Sequence, residues 1–463
     1  MAVDATIIVG GKGDGSAASD NHGGGYTDNY TGTWVDAQKD NGLSVNLSAT
    51  WGGSQIACSM VESPDNPGKV RVTFLHGFDL AKVGMLANIE TVDGTYPDDR
   101  YEVLAIDSSN GNYVDIDLAY ISDSACDIHV GGAMKTPVAA TDLVVDGEAT
   151  DFLISQDATS GFAETIIFAT GGDHTDPAKK LFIKGVSPDD GELLPAGSYI
   201  TLTEGTGPVA ATMIWDDINN VSMAGIYLTG SNTTGLNISN GASGYNYFIE
   251  NCKLADNTYG LYINGTYVNN VFVRNCVFSS NSDGDIQALN IAIDCLNCRF
   301  ESNVVSQVVV KHVGMFRNCI FIDGEKAIVH SHGYILNVSN CVFYNQSVAC
   351  IDNGSSIAAA TVVAYSNIFM PAATANKSIL MTRGSTLYAD YNCYWSVAGG
   401  ACDYSDYGGG DNAIEINPQF DENYLPATWQ LMESGIEDTG GNPTHIGAVG
   451  KPSAYDIIVA EES

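Results

Sequence analysis

Five short segments decide the fold: ENCKL (250–254), RNCVF (274–278), LNCRF (296–300), RNCIF (317–321) and SNCVF (339–343). Each places Asn before Cys, and from the second onward a Phe follows two residues after the Cys. SNIF (366–369) and YNCYW (391–395) extend the series and put Ile368 and Cys393 in the cysteine slot. The slot residues Cys252, Cys276, Cys298, Cys319, Cys341, Ile368 and Cys393 recur at steps of 24, 22, 21, 22, 27 and 25 residues. An earlier turn fits as well, because NNVSMAGI, ending at Ile226, matches NNVFVRNC, ending at Cys276.

A period of about 22 residues built from short alternating segments is the signature of a solenoid in which each repeat forms one coil. VFVRNCVF, VVVKHVGMF, AIVHSHGYILNV and TVVAYSNIF are rich in Val, Ile, Phe and Tyr, and Asn, Ser, Asp and Gly interrupt them. That is strand and turn composition, and the leucine-rich pattern of comparable length is missing. Three strands and three turns fill one coil, which predicts an all-β, right-handed parallel β-helix. The slot residues then point inward and stack like over like at the strand spacing of ~4.8 Å. Phe278, Phe300, Phe321, Phe343 and Phe369 form an aromatic ladder in the same core. Asn251, Asn275, Asn297, Asn318 and Asn340 sit at a bend, where a carboxamide tolerates unusual φ and bonds to the next coil. Such a column of thiols is structural, since equal spacing along an axis gives a row and not a tetrahedron.

Outward from the repeat, the reading divides the chain into four parts. Residues 1–70 form a turn-rich segment and cap, with one short helix over TWVDAQKDNG. Residues 71–141 form a small N-terminal β domain, residues 142–415 the β-helix, and residues 416–463 a closing segment. The run YEVLAIDSSNGNYVDIDLAY…VGGA resembles a small β domain that precedes the helix in phage and environmental β-helix proteins. INPQF, then WQLMESGIEDTGG, then HIGAVG is similar to the closing segment of pectate-lyase-like right-handed β-helix repeat proteins. The resemblance implies the fold and a place among proteins of the kind found in tailed-phage virions; such folds host many functions.

Composition narrows the partners. Lys and Arg number 19 against 55 Asp and Glu, a formal charge of −36, which repels phosphate backbones and argues against nucleic acid. No apolar run approaches a membrane span, and the amino terminus lacks the basic start and apolar stretch of a signal peptide. The 11 cysteines are odd in number and lie in a packing context, so a disulfide framework is not expected.

Candidates for chemistry are few. Asp216 and Asp217 form a DD pair, and Asp283 and Asp285 lie in SDGD. His330 and His332 alternate in HSHG and would share a strand face as metal ligands. Arg274 and Arg317 precede the Asn–Cys dipeptides, with Lys311 and His312 a strand earlier. A polygalacturonase would show NTD, DD, GHG and RIK in order; only DD and HG are present. Ca2+ is the cation that paired carboxylates would hold in a lyase. The leading expectation is therefore a non-enzymatic structural or adhesive protein on a virion: a capsid decoration, fibre or tailspike. Its partners would be other virion proteins and cell-surface polysaccharide, and it would assemble as a homotrimer. The first alternative is a polysaccharide lyase or glycoside hydrolase acting on bacterial or algal glycan, with Asp216, Asp217, Asp283, His330 and His332 as its catalytic candidates. The second is a secreted, extracellular bacterial surface protein.

Overall fold

The computed structural model describes residues 4–395 apart from internal segments, the longest being 11–24, 35–57 and 169–179, together with Pro418. The predicted helix beyond Trp34 and the closing segment other than Pro418 lie outside the described residues. The chain divides into two compact units, residues 1–162 with 172–194, and residues 163–171 with 195–463.

The second unit is the solenoid, a right-handed parallel β-helix. One coil runs Tyr259–Asn264, Asn270–Arg274, Val277–Ser279, and the next runs Gly284–Ala288, Ala292–Leu296, Arg299–Glu301. Each strand pairs in parallel with its counterpart one coil away, giving three sheets, here I, II and III in chain order.

The corner between sheets II and III is a single residue in the left-handed region. Asn251, Asn275, Asn297, Asn318 and Asn340 have φ between 49° and 55°. Asn pays less strain there than other side chains because its short amide bonds locally. Asn297 Nδ2 donates to Asn275 Oδ1 at 3.1 Å, tying one coil to the next.

Inside, Cys252, Cys276, Cys298, Cys319 and Cys341 are buried at successive coils, each thiol near a backbone carbonyl. Beside them Phe278, Phe300, Phe321, Phe343, Phe369 and Tyr394 stack with centroids 4.7–5.2 Å apart. Ile226 takes the slot in an earlier coil, since Tyr227 pairs with Lys253.

Ile368 and Cys393 do not occupy it. Val342 pairs with Ile368 and Ile368 with Cys393, so both lie one position further on, on the outer face of sheet III. The left-handed residues of these coils are Ser366 and Tyr391, which shifts the bend one residue earlier than the Asn suggests. Asn367 and Asn392 fill the inward slot instead. Asn367 Oδ1 accepts from Cys341 N at 2.9 Å, and Asn392 Oδ1 from Asn367 N at 2.9 Å. The displaced Ile368 and Cys393 pack with Ile320, Ile322, Val342, Tyr344 and Trp395.

A second polar ladder lies at the corner from sheet III to sheet I. Asn257 N donates to Asn281 Oδ1 at 3.1 Å, and Asn281 N to Ser302 Oγ at 2.9 Å. Gly260 sits so close that a Cβ there would lie 2.7 Å from Asp285 O. Asp285 is fully buried; its Oδ1 accepts from Asn281 Nδ2 at 2.8 Å and from Ser302 Oγ. Its Oδ2 has no partner among the described residues.

The first unit contains a closed antiparallel barrel of Cys58–Glu62, Lys69–Thr73, Leu86–Thr91, Asp99–Ile106, Tyr113–Ala119 and Ser124–Val130. The small β domain thus starts at Cys58, before the expected position 71. Residues 5–10 are not part of a cap. Ala5–Gly10 pairs in parallel with Thr150–Ser155, which pairs in parallel with Leu181–Val186. The barrel is an excursion between the first two strands of a parallel ladder.

Two predictions follow from this interior. Burial, opposed by the Ser302 and Asn281 hydrogen bonds, raises the Asp285 pKa to about 7 from 3.8. The folded state therefore holds a proton that the unfolded state releases, and stability falls as pH rises from about 4 to about 7. Asp285→Asn is expected to be more stable than the parent at pH 8, by up to about 4 kcal/mol, and equal to it near pH 4. Denaturant unfolding at both pH values measures this. All ten described cysteines are buried thiols outside any disulfide, so a thiol reagent such as Ellman's is expected to titrate at most one of the 11 in the native protein and all after unfolding.

Candidate functional site

A solenoid offers chemistry only on its outward rows, because alternate residues of every strand enter the core. On sheet I the Gly235–Leu236 and Gly260–Leu261 dipeptides set the phase. Leu236, Leu261 and Ile286 align and point inward, which turns Asn237, Tyr262 and Gln287 outward in one row. Two residues on, Asp216, Ser239 and Asn264 align in a second outward row. Backbone bonds from Leu289 N to Ile263 O and from Lys311 N to Ala288 O carry that row through Leu289 to Lys311.

Over five coils the two rows present carboxylate, hydroxyl, carboxamide, phenol and ammonium groups, with Ile214, Val309 and Leu289 at the apolar positions between and beside them. Asp216 is half-buried and accepts from Ser239 Oγ at 2.8 Å. Tyr262 packs against Tyr259 at 5.9 Å. Burial, with Asp283's charge, raises the Tyr259 phenol above its ordinary value. Further along, Lys326 pairs with Asp352 at 2.6 Å.

The expected catalytic residues do not converge. Asp217 lies outside the described residues. Asp283 is exposed in the corner before sheet I, three coils from Asp216 and at the opposite end of the strands. Coil and residue spacings put the two more than about 20 Å apart, whereas a hydrolytic carboxyl pair needs roughly 5–9.5 Å.

His330 and His332 do not share a face. His330 aligns with Val310 in an inward row and is fully buried, while His332 lies beyond the strand Lys326–His330. The His330 ring is fixed by its neighbours. Nε2 lies 3.0 Å from His312 O, which can only accept, so Nε2 carries the proton. Asn353 Nδ2 donates to Nδ1 at 3.2 Å, and Ser385 Oγ donates to Asn353 Oδ1 at 3.1 Å. No three His, Cys, Asp or Glu side chains converge as a metal group among the described residues.

On sheet II the outward rows differ in character. Phe248, Phe272 and Asp294 align in one, and Glu250, Arg274, Leu296 and Arg317 in the other. Arg274 lies 3.6 Å from Glu250, and one Arg317 nitrogen donates to both Asp294 oxygens at 3.0 and 2.7 Å. Reading the motifs alone misses Asn237, Tyr262, Asn264 and Gln287. The signal for them was the Gly–Leu phase of the sheet I strands.

No family model matches the chain, and no curated protein matches it. Among solved structures it is similar to a pectate lyase, at 14% identity over 69% of this chain and 92% of that one, with a TM-score of 0.44. It is also similar to a PL6 family alginate lyase, at 13% identity over 68% of this chain and 58% of that one, with a TM-score of 0.38. The non-enzymatic virion reading is overturned and not pursued, because the solved structures that the chain resembles are a pectate lyase and an alginate lyase; the likeness itself extends to the fold. Neither a substrate nor a residue role is carried across at such distance.

The buried imidazole makes its own prediction. Burial lowers the His330 pKa below 6.5, so the unfolded chain takes up the proton first. Its contribution is complete above about pH 6.5 and declines as pH falls, by at most about 1.4 kcal/mol per unit. His330→Gln is expected to unfold with a shallower acid slope between pH 6.5 and 5, measured by denaturant titration.

Proposed function

We propose that the chain is a polysaccharide depolymerase of the lyase type, its glycan lying along the solenoid axis over the outer face of sheet I. The observation that carries this is the two-row grid of Asp216, Ser239, Asn264 and Lys311 beside Asn237, Tyr262 and Gln287. Its coils repeat every ~4.8 Å, close to the length of one sugar unit, with Leu289 interrupting the polar row before Lys311, and its span from Asp216 to Lys311 is about 19 Å, four coils. Hydroxyls and carboxamides of this kind recognise sugar hydroxyls, and a phenol offers an apolar face to a sugar ring.

Elimination suits this grid better than hydrolysis. A two-carboxyl mechanism has no pair at the right separation in Asp216 and Asp283. Elimination removes the proton beside a uronate carboxylate, breaks the bond from carbon to the leaving sugar's oxygen, and returns a proton to that oxygen. The Lys311 ammonium offsets the uronate charge, and Tyr262, two coils along, is the group of the grid able to move protons beside it; Asp216, at the far end, lines the strip.

Incubation with polygalacturonate, alginate and a neutral glycan tests the reading, following unsaturated uronate by ultraviolet absorbance and new reducing ends in parallel. Lys311→Ala and Tyr262→Phe are each expected to lower kcat/KM by about a hundredfold, with Asp283→Asn close to the parent. New reducing ends without unsaturation would replace elimination by hydrolysis. No product from any glycan would remove the proposal.

A further inference from the structure

The outer face of sheet II carries a second arrangement that the grid on sheet I does not use. Phe248 and Phe272 point away from the core and stack face to face, with centroids 4.9 Å apart and planes 12° from parallel. Both rings remain partly exposed. Apolar outward positions of a sheet are ordinarily covered or polar, so a flat aromatic surface two coils long is a binding feature. Around it, Asn270 Nδ2 donates to Asn246 Oδ1 at 3.4 Å, and the Arg274 guanidinium lies 5.8 Å from the Phe272 centroid.

Charge decides what this surface accepts. The chain as a whole is at −36, and an anionic polymer is repelled almost everywhere on it. Here Arg274 and Arg317 sit two coils apart in one row and are 42% and 48% exposed. Their carboxylate neighbours, Glu250 and Asp294, neutralise the strip without filling it. The Arg274 contact is loose at 3.6 Å, and Arg317 reaches Asp294 through one nitrogen only. A guanidinium has five donors in a planar fork, so each retains capacity for a carboxylate or sulfate. The two heads repeat at about 10 Å along the axis, with the aromatic pair beside the first.

We propose that Phe248, Phe272, Arg274 and Arg317 form a glycan-binding platform for an anionic polysaccharide, separate from the face on which cleavage is placed. Sugar rings pack their carbon-bound hydrogens on the Phe faces, and acidic substituents on the strand meet the two guanidiniums. The strand runs along the axis, since both the rings and the heads repeat in that direction. The platform holds the polymer and takes no part in bond cleavage. Its existence does not depend on the lyase reading.

Affinity electrophoresis of the full chain through gels containing polygalacturonate, dextran sulfate or unmodified dextran tests this, with circular dichroism confirming each variant's fold. Polygalacturonate is expected to retard the parent and dextran is not. The pair Phe248→Ser with Phe272→Ser, and separately Arg274→Ser with Arg317→Ser, should each weaken retardation by at least tenfold in apparent Kd. In a Lys311→Ala background both pairs should still weaken retardation by the same factor, which separates this platform from sheet I even if no glycan is cleaved. Parent-like retardation of the Phe variant, retardation by dextran sulfate that ignores the Phe change, or no retardation by either anionic glycan would each overturn the proposal.

Discussion

Everything in the solenoid depends on one backbone conformation repeated coil after coil. A single left-handed residue between sheets II and III turns the chain sharply enough that both flanking strands stay in register with the coils on either side. Asn251, Asn275, Asn297, Asn318 and Asn340 adopt it at nearly one φ value. A bend one residue longer in a single coil would move every later inward side chain to the outer face. The thiol column and the aromatic stack are therefore consequences of the corner, and the core's dryness follows from them.

This rule accounts for which parts of the sequence were legible. The Asn–Cys–x–Phe spacing recorded the corner, the inward slot and the next inward position together, so the architecture and the Phe ladder could be read from letters alone. The same letters misled at Ile368 and Cys393. There Ser366 and Tyr391 make the turn, and the Asn that elsewhere marks the bend has moved into the core. The motif identified residues, whereas the structure conserves a conformation. An inward Asn is tolerated because its amide takes over bonds that the thiols make weakly: Asn392 Nδ2 donates to Ala364 O at 2.8 Å.

The outer faces were illegible for the complementary reason. Core positions repeat because each must fit the coil above and below, while outward positions answer only to solvent or ligand. Asn237, Tyr262 and Gln287 share a row yet no chemistry that a pattern would find. His330 and His332 show the converse error, since alternation suggested a shared face where the strand ends at the first of them. Once the register is known, sheet I separates as polar and sheet II as aromatic with paired charges. Three sheets around one core thus let one chain present different chemistries side by side without disturbing that core.

The parallel pairing of Ala5–Gly10 with Thr150–Ser155 has a consequence for how the molecule is made. The contact from Asp4 to Ala149 spans 145 residues, and the whole barrel is synthesised between its two halves. On a ribosome the strand Ala5–Gly10 meets the bridge from Thr6 to Tyr26 before the barrel emerges, but its parallel partner Thr150–Ser155 follows the barrel, which closes through contacts of its own. The barrel is thus able to fold first, and the long loop-closure entropy makes the opening strand a late arrival. The order in which the chain is read is the reverse of the order in which its first ladder is completed.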